Sequence, residues 1–160
     1  MPLPKLFFSP LLALAIVPAC APPPLPEISA PALVRDPAAP GAALLEHALA
    51  DFFEGPGATA DPPTLCVELS PGGLSAEQEA VLMTRFPRLA PRARCEQAPG
   101  LMDRITGERA VLLQVYGLAC GDARTCSGWT NAPGRPATHW TMRWQDGAWT
   151  FAGDRRLIAQ

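Results

Sequence analysis

The clearest hydrophobic pattern in this chain lies between Thr138 and Phe151. Apolar and polar residues alternate along this stretch, and the alternation is interrupted once, at Asp146-Gly147. Alternation with a period of two is typical of a half-buried β-strand, and Asp-Gly between two such runs favours a two-residue type I′ turn. The pattern therefore predicts a β-hairpin with Asp146 and Gly147 as its loop.

The predicted hairpin has one apolar and one polar face. Because a two-residue loop fixes the register, Trp144 is expected to face Trp149 across the hairpin. Each large aromatic side chain buries about 150–250 Å², so we expect the apolar face to supply much of the core, with a pocket lined by these rings as the alternative. This face consists of Trp140, Met142, Trp144, Trp149 and Phe151. The opposite face, expected to contact solvent, consists of His139, Thr141, Arg143 and Thr150.

A first amphipathic helix is predicted over residues 42–54. Its apolar positions follow the spacing of one helix face, and Gly55 supplies a stop signal. The opposite side carries His47 and Asp51 one turn apart, and we interpret this side as solvated. The alternative is half of a metal site, which lacks a third ligand nearby in the sequence. The apolar positions are Leu45, Ala48, Leu49 and Phe52.

A second helix is predicted from about Ala76 to Phe86. Ser75 stands three residues before Gln78, the arrangement of a capping box, in which each side chain accepts a hydrogen bond from the other residue's amide. Pro87 ends the helix because proline disfavours the helical conformation in the residue before it. The side chains expected to be buried are Leu82, Met83 and Phe86.

Further segments predict strands. Thr64–Leu69 alternates apolar and polar residues, and a Ser-Pro-Gly-Gly turn follows it. Residues 109–118 are apolar at both alternating sets of positions, which is typical of a central strand covered on both faces. Shorter strands are predicted at residues 92–96 and 127–131, with a turn at residues 105–108 and a Pro-Gly-Arg-Pro loop at residues 133–136.

The N-terminal region has the layout of an export signal. Residues 1–19 place Lys5 before an apolar run that is shorter than the about 20 residues of a membrane span. Val17-Pro18-Ala19-Cys20 resembles the lipobox of bacterial lipoproteins, which implies that Cys20 becomes the first residue of the mature chain and is acylated, for example with palmitate. Pro18 departs from the lipobox pattern, and cleavage after Ala21 by an ordinary signal peptidase is the alternative.

The segment after Cys20 is interpreted as a tether. Residues 20–41 are dense in proline and alanine, a composition that favours extended polyproline II structure. Ala21 after the cysteine is not aspartate, which in Gram-negative lipoproteins implies sorting to the periplasmic face of the outer membrane. We therefore expect a lipid-anchored tether over residues 20–41 and a single domain over residues 42–160. Docking of the Pro-Pro-Pro-Leu-Pro run into a partner's groove is the alternative role of this segment.

The cysteine count predicts a disulfide framework. Four cysteines remain besides Cys20, and an even number in an exported chain implies two disulfides, for which three pairings exist. A zinc site is the competing interpretation, but its C-x-x-C spacing is absent. We predict Cys66–Cys95, which joins the strands on either side of the second helix as neighbours in the sheet, and Cys120–Cys126, which closes a short loop.

No sequence motif points to a catalytic, cofactor or metal centre. There is no H-E-x-x-H, no P-loop and no G-x-G-x-x-G, and the residues around Ser75 lack the final glycine of a nucleophile elbow. His47 and His139 lie far apart in sequence without a neighbouring nucleophile or acid that would mark a triad, so we interpret both as structural or surface residues. The formal charge of −2 provides no basic field for nucleic acid.

The order helix, strand, helix and then several strands ending in W-x-D-G-x-W resembles small exported α+β domains of cystatin-like and nuclear-transport-factor-two-like architecture. The resemblance covers about Ala42 to Ala152, and the cysteine landmarks are similar to those of other bacterial exported proteins. It implies one or two helices on a curved, mainly antiparallel sheet of about five to six strands. Such folds host unrelated functions.

Two functions follow as expectations. The first is a non-catalytic lipoprotein of the cell envelope, attached to the membrane through its lipid, whose domain contacts another envelope component such as a protein. The second is a small-ligand binding protein or enzyme that uses a cone-shaped pocket between helix and sheet. We expect neither a cofactor nor a nucleic-acid partner, and the inward apolar face of the hairpin favours the first function.

Overall fold

The computed structural model describes residues 32–97 and 100–154. This part of the chain forms two helices, seven strands and two short 3₁₀ turns. None of its helices is long and apolar enough to cross a membrane. In chain order the elements are a first 3₁₀ turn (Leu33–Arg35), α1 (Pro40–Glu54), β1 (Thr64–Leu69), α2 (Ala76–Arg85), a second 3₁₀ turn (Arg92–Arg94), β2 (Cys95–Gln97), β3 (Leu101–Asp103), β4 (Ala110–Asp122), β5 (Thr125–Asn131), β6 (Thr138–Gln145) and β7 (Ala148–Asp154).

The strands form a mixed five-stranded sheet and a small two-stranded sheet. The order in the main sheet is β1-β4-β5-β6-β7, with β1 parallel to β4 and the other neighbours antiparallel. The short strands β2 and β3 pair antiparallel with each other. The predicted α+β class, with two helices and a mainly antiparallel sheet, is confirmed.

The predicted hairpin is confirmed in its loop and its register. Trp144 lies opposite Trp149 in the β6–β7 pair, and the centroids of the facing rings are 5.6 Å apart. Asp146 and Gly147 have φ angles of 52° and 78°, the two positive values that a type I′ turn requires. The register that the two-residue loop implies also holds for the neighbouring pairs, Gln145–Ala148, Arg143–Thr150 and Met142–Phe151.

Both predicted helices are present. In the capping box of α2, the Ser75 hydroxyl accepts from the Gln78 amide at 3.1 Å, and the Gln78 side-chain oxygen accepts from the Ser75 amide at 2.9 Å. α1 begins at Pro40 rather than at residue 42, because the fixed φ of proline suits the first helical position. Of the side chains predicted to be buried in α2 and its C-cap, Leu82 and Phe86 are buried and Met83 is partly exposed.

The folded domain begins before α1, in the segment that the sequence assigns to the tether. Leu33 is 7% exposed and belongs to the core. The Val34 amide donates a hydrogen bond of 2.8 Å to the buried carboxylate of Glu46. Trp149 donates from Nε1 to the Asp36 carbonyl at 2.9 Å. These three contacts fix the segment to the domain, because they bury an apolar side chain and satisfy polar groups that would otherwise lack partners.

The main core lies between α1 and one face of the five-stranded sheet, which we call the inner face. Leu44, Leu45 and Leu49 of α1 are fully buried, as are Leu113 of β4 and Met142 of β6. Together with the aromatic side chains of the hairpin, these residues form one continuous cluster. The expectation that the apolar face of the hairpin contributes to the core is therefore met by its central residues.

A smaller apolar layer covers part of the opposite face, which we call the outer face. This layer lies over β1 and the first half of β4, so that half of β4 is covered on both sides, as its apolar pattern predicts. β4 then continues to Asp122, beyond the predicted end at residue 118. The layer consists of buried Cys66, Ala90 and Ala110, with partly buried Cys95, Leu101 and Leu112.

Both predicted disulfides are present, Cys66–Cys95 and Cys120–Cys126. The strand layout around the first one differs from the prediction. Cys95 begins β2, which pairs with β3 in the small sheet and is not a neighbour of β1 in the main sheet. The strand predicted at residues 92–96 starts only at Cys95, because the Arg94 amide donates to the Pro91 carbonyl at 2.8 Å and closes a 3₁₀ turn.

A buried ion pair fixes the small sheet. Asp103 of β3 is 1% exposed, and its Oδ1 accepts from Arg94 Nε at 2.9 Å and from the Ile105 amide at 3.0 Å. A second bond joins Arg94 Nη2 to Oδ2 of the same carboxylate. The hydrogen bonds from Arg94 lower the pKa of Asp103 to about 2. The carboxylate therefore stays ionised and keeps its partners over the whole neutral range.

Candidate functional sites on the two faces of the sheet

A cleft of about 330 Å³ opens on the inner side, between α1 and the ends of β5 and β6. Its walls combine small apolar residues with four polar or ionisable groups and one indole ring, a composition that suits a small-molecule pocket. The lining residues are Ala48, Asp51, Pro56, Thr130, Ala132, Arg135, Pro136, Thr138 and Trp140.

Several polar groups of this cleft are paired with one another. Arg135 forms an ion pair with the Asp51 carboxylate, and its Nη2 donates to the Asp51 carbonyl at 3.1 Å. Trp140 donates from Nε1 to the Thr130 hydroxyl at 2.8 Å. These contacts join the Pro-Gly-Arg-Pro loop to α1 and β5 to β6. They leave the guanidinium and the indole N–H engaged within the protein rather than oriented toward a ligand.

His47 lies behind the cleft, against the hairpin. Its ring stacks on Phe151 at 4.2 Å between centroids and meets the Trp140 ring edge-on at 4.6 Å. Its Nε2 is buried without a hydrogen-bond partner among the described residues. Burial lowers the pKa of His47, and the negative charge of Asp51 opposes that shift. The imidazole is therefore neutral near pH 7, as its apolar surroundings require.

The interpretation of the His47 and Asp51 side of α1 as solvated is wrong. The hairpin covers His47, and the loop before β6 brings Arg135 onto Asp51. The spacing of the two residues along the helix was read correctly, but neither contact partner is near in sequence. The metal alternative gains no support either, since no group of three or more potential ligands occurs in residues 32–97 and 100–154.

The predicted pocket residues of the hairpin separate into two groups. Met142 and Trp149 are 0% and 4% exposed, so they are core residues that no ligand reaches. Trp144 and Phe151 are partly buried against that core. Trp140 is the one residue of the predicted set that lines the cleft. The pocket of the alternative function is thus bounded mainly by α1 and the loop before β6, and its tryptophan lining is limited to this ring.

The outer face carries a second candidate site, a row of three aromatic side chains. Tyr116 of β4 is the register partner of Trp129 of β5, which in turn is the partner of His139 of β6. The centroids are 6.5 Å apart for Tyr116 and Trp129 and 4.9 Å apart for Trp129 and His139. All three side chains are partly exposed. We refer to Tyr116, Trp129 and His139 as the aromatic row.

Strand alternation places these rings on the outer face. Gly128 lies on the inner face, where a Cβ would come within 3.0 Å of Leu44, so its neighbour Trp129 points outward. Gly117 lies where the β4–β5 register is interrupted, and its φ of 62° falls in the left-handed region. A Cβ on Gly117 would lie 3.2 Å from Trp129 Cδ1, so glycine provides both the backbone conformation and the space for this ring.

Uncharged polar side chains flank the aromatic row. On one side, Gln114 donates from Nε2 to Glu68 at 2.9 Å and accepts from Asn131 Nδ2 at 3.4 Å. On the other side, Ser127 and Thr141 are register partners. Hydroxyl and amide groups therefore border the rings on both sides, with the Glu68 carboxylate at the far end.

Sequence reasoning did not single out Tyr116 or Trp129 as site residues, and it placed His139 on a solvated face. His139 is half-buried because it packs against Trp129. The alternation Gly128-Trp129-Thr130 carries the relevant signal, since a tryptophan that alternates with inward residues must point to the other face. The register that aligns the three rings depends on pairing across the loop of residues 132–137, which alternation alone does not specify.

Comparison with family models, curated proteins and solved structures finds no match to this chain. The resemblances to bacterial lipoproteins and to cystatin-like domains therefore stay predictions. The function has to be argued from the chemistry of the two sites and from the sequence itself.

Proposed function

We propose that this chain is a non-catalytic recognition domain of the cell envelope. In this proposal, Cys20 carries a lipid that holds the protein on the periplasmic face of the outer membrane, and the α+β domain binds another envelope component. The observation that carries the proposal is the aromatic row, because three aligned and partly exposed rings on one sheet face are typical of a binding surface.

The predicted address is supported by two features of the chain. Val17-Pro18-Ala19-Cys20 follows an apolar run with the layout of a signal peptide. The domain contains two disulfides, which form and persist in oxidising compartments such as the periplasm. Residues 1–31 lie outside the described residues, so the signal and the lipid site rest on sequence alone.

The non-catalytic character is supported by the contacts within the cleft. A general acid or base acts on a substrate only if its polar atoms are within hydrogen-bond reach of the reacting group. In the cleft, the Asp51 carboxylate is engaged by Arg135, and the Trp140 N–H is engaged by Thr130. These pairs stabilise the junction of α1 with the sheet.

A labelling experiment tests the lipid anchor. Cells that express the chain are grown with a radioactive fatty acid, and the wild type is compared with Cys20→Ser. The proposal expects label and membrane association in the wild type and their loss in the variant, because the thiol of Cys20 is the proposed acylation site. Equal label in both proteins contradicts the anchor.

A sedimentation experiment tests the recognition function. The full chain with Cys20→Ser is mixed with isolated envelopes, with or without the further change Trp129→Ala. Ile105→Ala serves as the matched control, because Ile105 is a 71% exposed apolar residue away from the aromatic row. We expect the chain and the control to sediment with envelopes and Trp129→Ala to remain in solution. Equal sedimentation of all three proteins contradicts the proposal.

The second candidate function is a small-ligand binding protein that uses the cleft. The volume of about 330 Å³ favours it, since this lies within the range of ligand pockets. Arg135 at the cleft wall would prefer an anionic ligand if it exchanged its Asp51 partner for a ligand carboxylate. A thermal-shift screen of small carboxylates tests this function, with Arg135→Met as the comparison. The candidate fails if no compound raises the melting temperature of the wild type.

A further inference from the structure

We propose that the aromatic row binds the glycan strand of the cell wall, a polymer of N-acetylated amino sugars. This inference rests on the proposed recognition function and names its ligand. It follows from the shape of the outer face, from its hydrogen-bonding groups and from its charge.

The shape of the outer face suits a flat ligand that extends in one direction. Tyr116, Trp129 and His139 lie side by side across three neighbouring strands, so their rings form a continuous strip on the sheet. The Tyr116 and Trp129 planes differ by only 12°, so these two rings are nearly parallel, with 6.5 Å between their centroids. Sugar rings present apolar C–H faces that stack on aromatic rings, and successive sugars of a linear strand repeat that contact along the strip.

The groups beside the row suit the edges of sugar rings. Sugars carry hydroxyl groups, and N-acetylated sugars add an amide with one donor and one acceptor. The amides of Gln114 and Asn131 border the row on one side, and the hydroxyls of Ser127 and Thr141 border it on the other. Gln114 uses one N–H on Glu68 and one lone pair on Asn131, which leaves its second N–H and second lone pair for a ligand. The remaining groups beside the row also offer donors and acceptors, so they can pair with either kind of sugar group.

The charge of the outer face favours an uncharged glycan over nucleic acid or an anionic membrane as the partner. The charged side chains on the outward positions of the five strands are Glu68, Asp122, Arg143 and Asp154, which gives three negative charges and one positive charge. Single-stranded nucleic acid binds aromatic platforms that lie in a basic groove, and anionic membrane surfaces attract clusters of Lys and Arg. An uncharged polyhydroxyl strand requires neither.

The predicted position of the protein selects the cell wall as the source of the glycan. Residues 20–31 precede the described domain, and twelve residues of polyproline II structure would span up to about 37 Å at about 3.1 Å per residue. A lipid on the inner leaflet of the outer membrane would then place the domain in the periplasm, on the side where the cell wall lies.

Co-sedimentation with purified cell-wall sacculi tests the inference. The sacculi are stripped of proteins and lipids, and the full chain with Cys20→Ser is used so that the lipid plays no part. We expect this chain and its Ile105→Ala control to sediment. We expect Trp129→Ala to weaken the apparent affinity on the order of tenfold or more, because alanine removes the central stacking surface. Trp129→Phe should recover part of the binding, since it restores a ring.

A second variant keeps the test informative if Trp129→Ala fails to fold. Thr141 is exposed beside the row, so Thr141→Arg leaves the rings in place and lays a long side chain over them. It should reduce binding to sacculi while circular dichroism and the melting temperature match the wild type. Soluble N-acetylglucosamine oligomers should compete with sacculi and should quench tryptophan fluorescence in the wild type but less in Trp129→Phe.

Four outcomes overturn the inference. They are no sedimentation of the wild type with stripped sacculi, equal sedimentation of Trp129→Ala, displacement by single-stranded DNA rather than by sugar oligomers, and a concentration-dependent dimer that Trp129→Ala abolishes. If the protein does not bind stripped sacculi but still binds whole envelopes in a Trp129-dependent manner, the glycan is not the ligand and the proposed recognition function stands. If neither preparation binds, both proposals fail.

Discussion

Tryptophan side chains have opposite environments on the two faces of the five-stranded sheet. On the inner face, Trp149 is 4% exposed, and its N–H donates to the Asp36 carbonyl. On the outer face, Trp129 is partly exposed between Tyr116 and His139. The strands β4 to β7 are antiparallel, and an antiparallel arrangement needs only one covered face for its core, so large side chains on the second face can remain partly exposed. In this chain, therefore, a tryptophan belongs to the core on the inner face and to the surface on the outer face.

The outer face itself is divided. Over β1 and the first half of β4, the small sheet and the Cys66–Cys95 disulfide cover it with a thin apolar layer. Beyond Tyr116, over β5 and β6, aromatic and polar side chains take the place of that layer, and Arg143 is the one of them with a formal positive charge. The covering layer ends where the aromatic row begins, so the rings of the row remain partly exposed.

Truncation of each tryptophan to alanine tests this difference most directly. Trp149→Ala should lower the free energy of unfolding by about 3–5 kcal/mol, because it leaves a cavity in the core and removes the hydrogen bond to the Asp36 carbonyl. Trp129→Ala should cost about 0.5–1.5 kcal/mol, because it removes ring contacts from a partly hydrated face. Urea denaturation of both variants measures the difference. Equal losses would mean that Trp129 is a core residue and that the outer face is not a binding surface.

The two disulfides provide a second test of the difference between the covered and the exposed parts of the outer face. Cys66 and Cys95 are 29 residues apart, so replacing both with alanine should cost about 3–4 kcal/mol, whereas the separation of 6 residues between Cys120 and Cys126 predicts about 2 kcal/mol. Denaturation midpoints of the two double variants decide the order. Replacing Cys66 and Cys95 should also make the outer layer susceptible to limited proteolysis, whereas replacing Cys120 and Cys126 should not. A reversed order would contradict the structural role given to the small sheet.

Acid should loosen the outer layer through Asp103. The folded-state pKa of Asp103, about 2, lies below the ordinary value of about 3.9, so the unfolded chain binds the proton first as the pH falls. The stabilisation is complete above about pH 5 and is lost as the pH falls toward 2. In Asp103→Asn, the free energy of unfolding should be lower at pH 7 and should change less between pH 5 and pH 2. Identical pH profiles of variant and wild type would count against this assignment.

Protonation of His47, on the inner side, should cause a smaller loss of stability, and it should do so at a higher pH than protonation of Asp103. Its pKa is lowered in the folded state by burial, so the unfolded chain binds a proton first below the ordinary pKa of about 6.5. Stability is therefore present above about pH 6.5 and declines as the pH falls from there toward the lower folded pKa. His47→Phe keeps the stack on Phe151 and removes the titration. Melting temperatures at pH 7 and pH 5 should differ more in the wild type than in the variant, and equal differences would refute the explanation.

The sequence determines much of the fold where its signals are local. The hairpin follows from alternation and from Asp146-Gly147, and the start of α2 follows from Ser75 and Gln78, because each of these devices acts within a few residues. The disulfide Cys120–Cys126 is local in the same sense. Predictions of this kind were confirmed to the residue.

The rest depends on contacts between distant segments. His47 is covered by Phe151, 104 positions away in the chain, so no helical pattern could reveal that its side of α1 is buried. The docking of Leu33 likewise depends on a core that forms from later residues. The candidate site was missed for the same reason, since Tyr116, Trp129 and His139 become neighbours only through the register of three strands.

The attachment of the segment before α1 has a mechanical consequence. A pull along the chain from the N-terminal side meets the buried side chain of Leu33 and then Val34, whose amide donates to Glu46 of α1. Glu46 in turn accepts from Arg85 of α2 at 2.9 Å. A parallel route runs through Asp36 to the indole of Trp149. Tension is thereby shared between both helices and the inner side of the edge strand. The aromatic row lies on the other face and outside these two routes, so a pull on the N-terminal side of the domain is not transmitted through the contacts of the row.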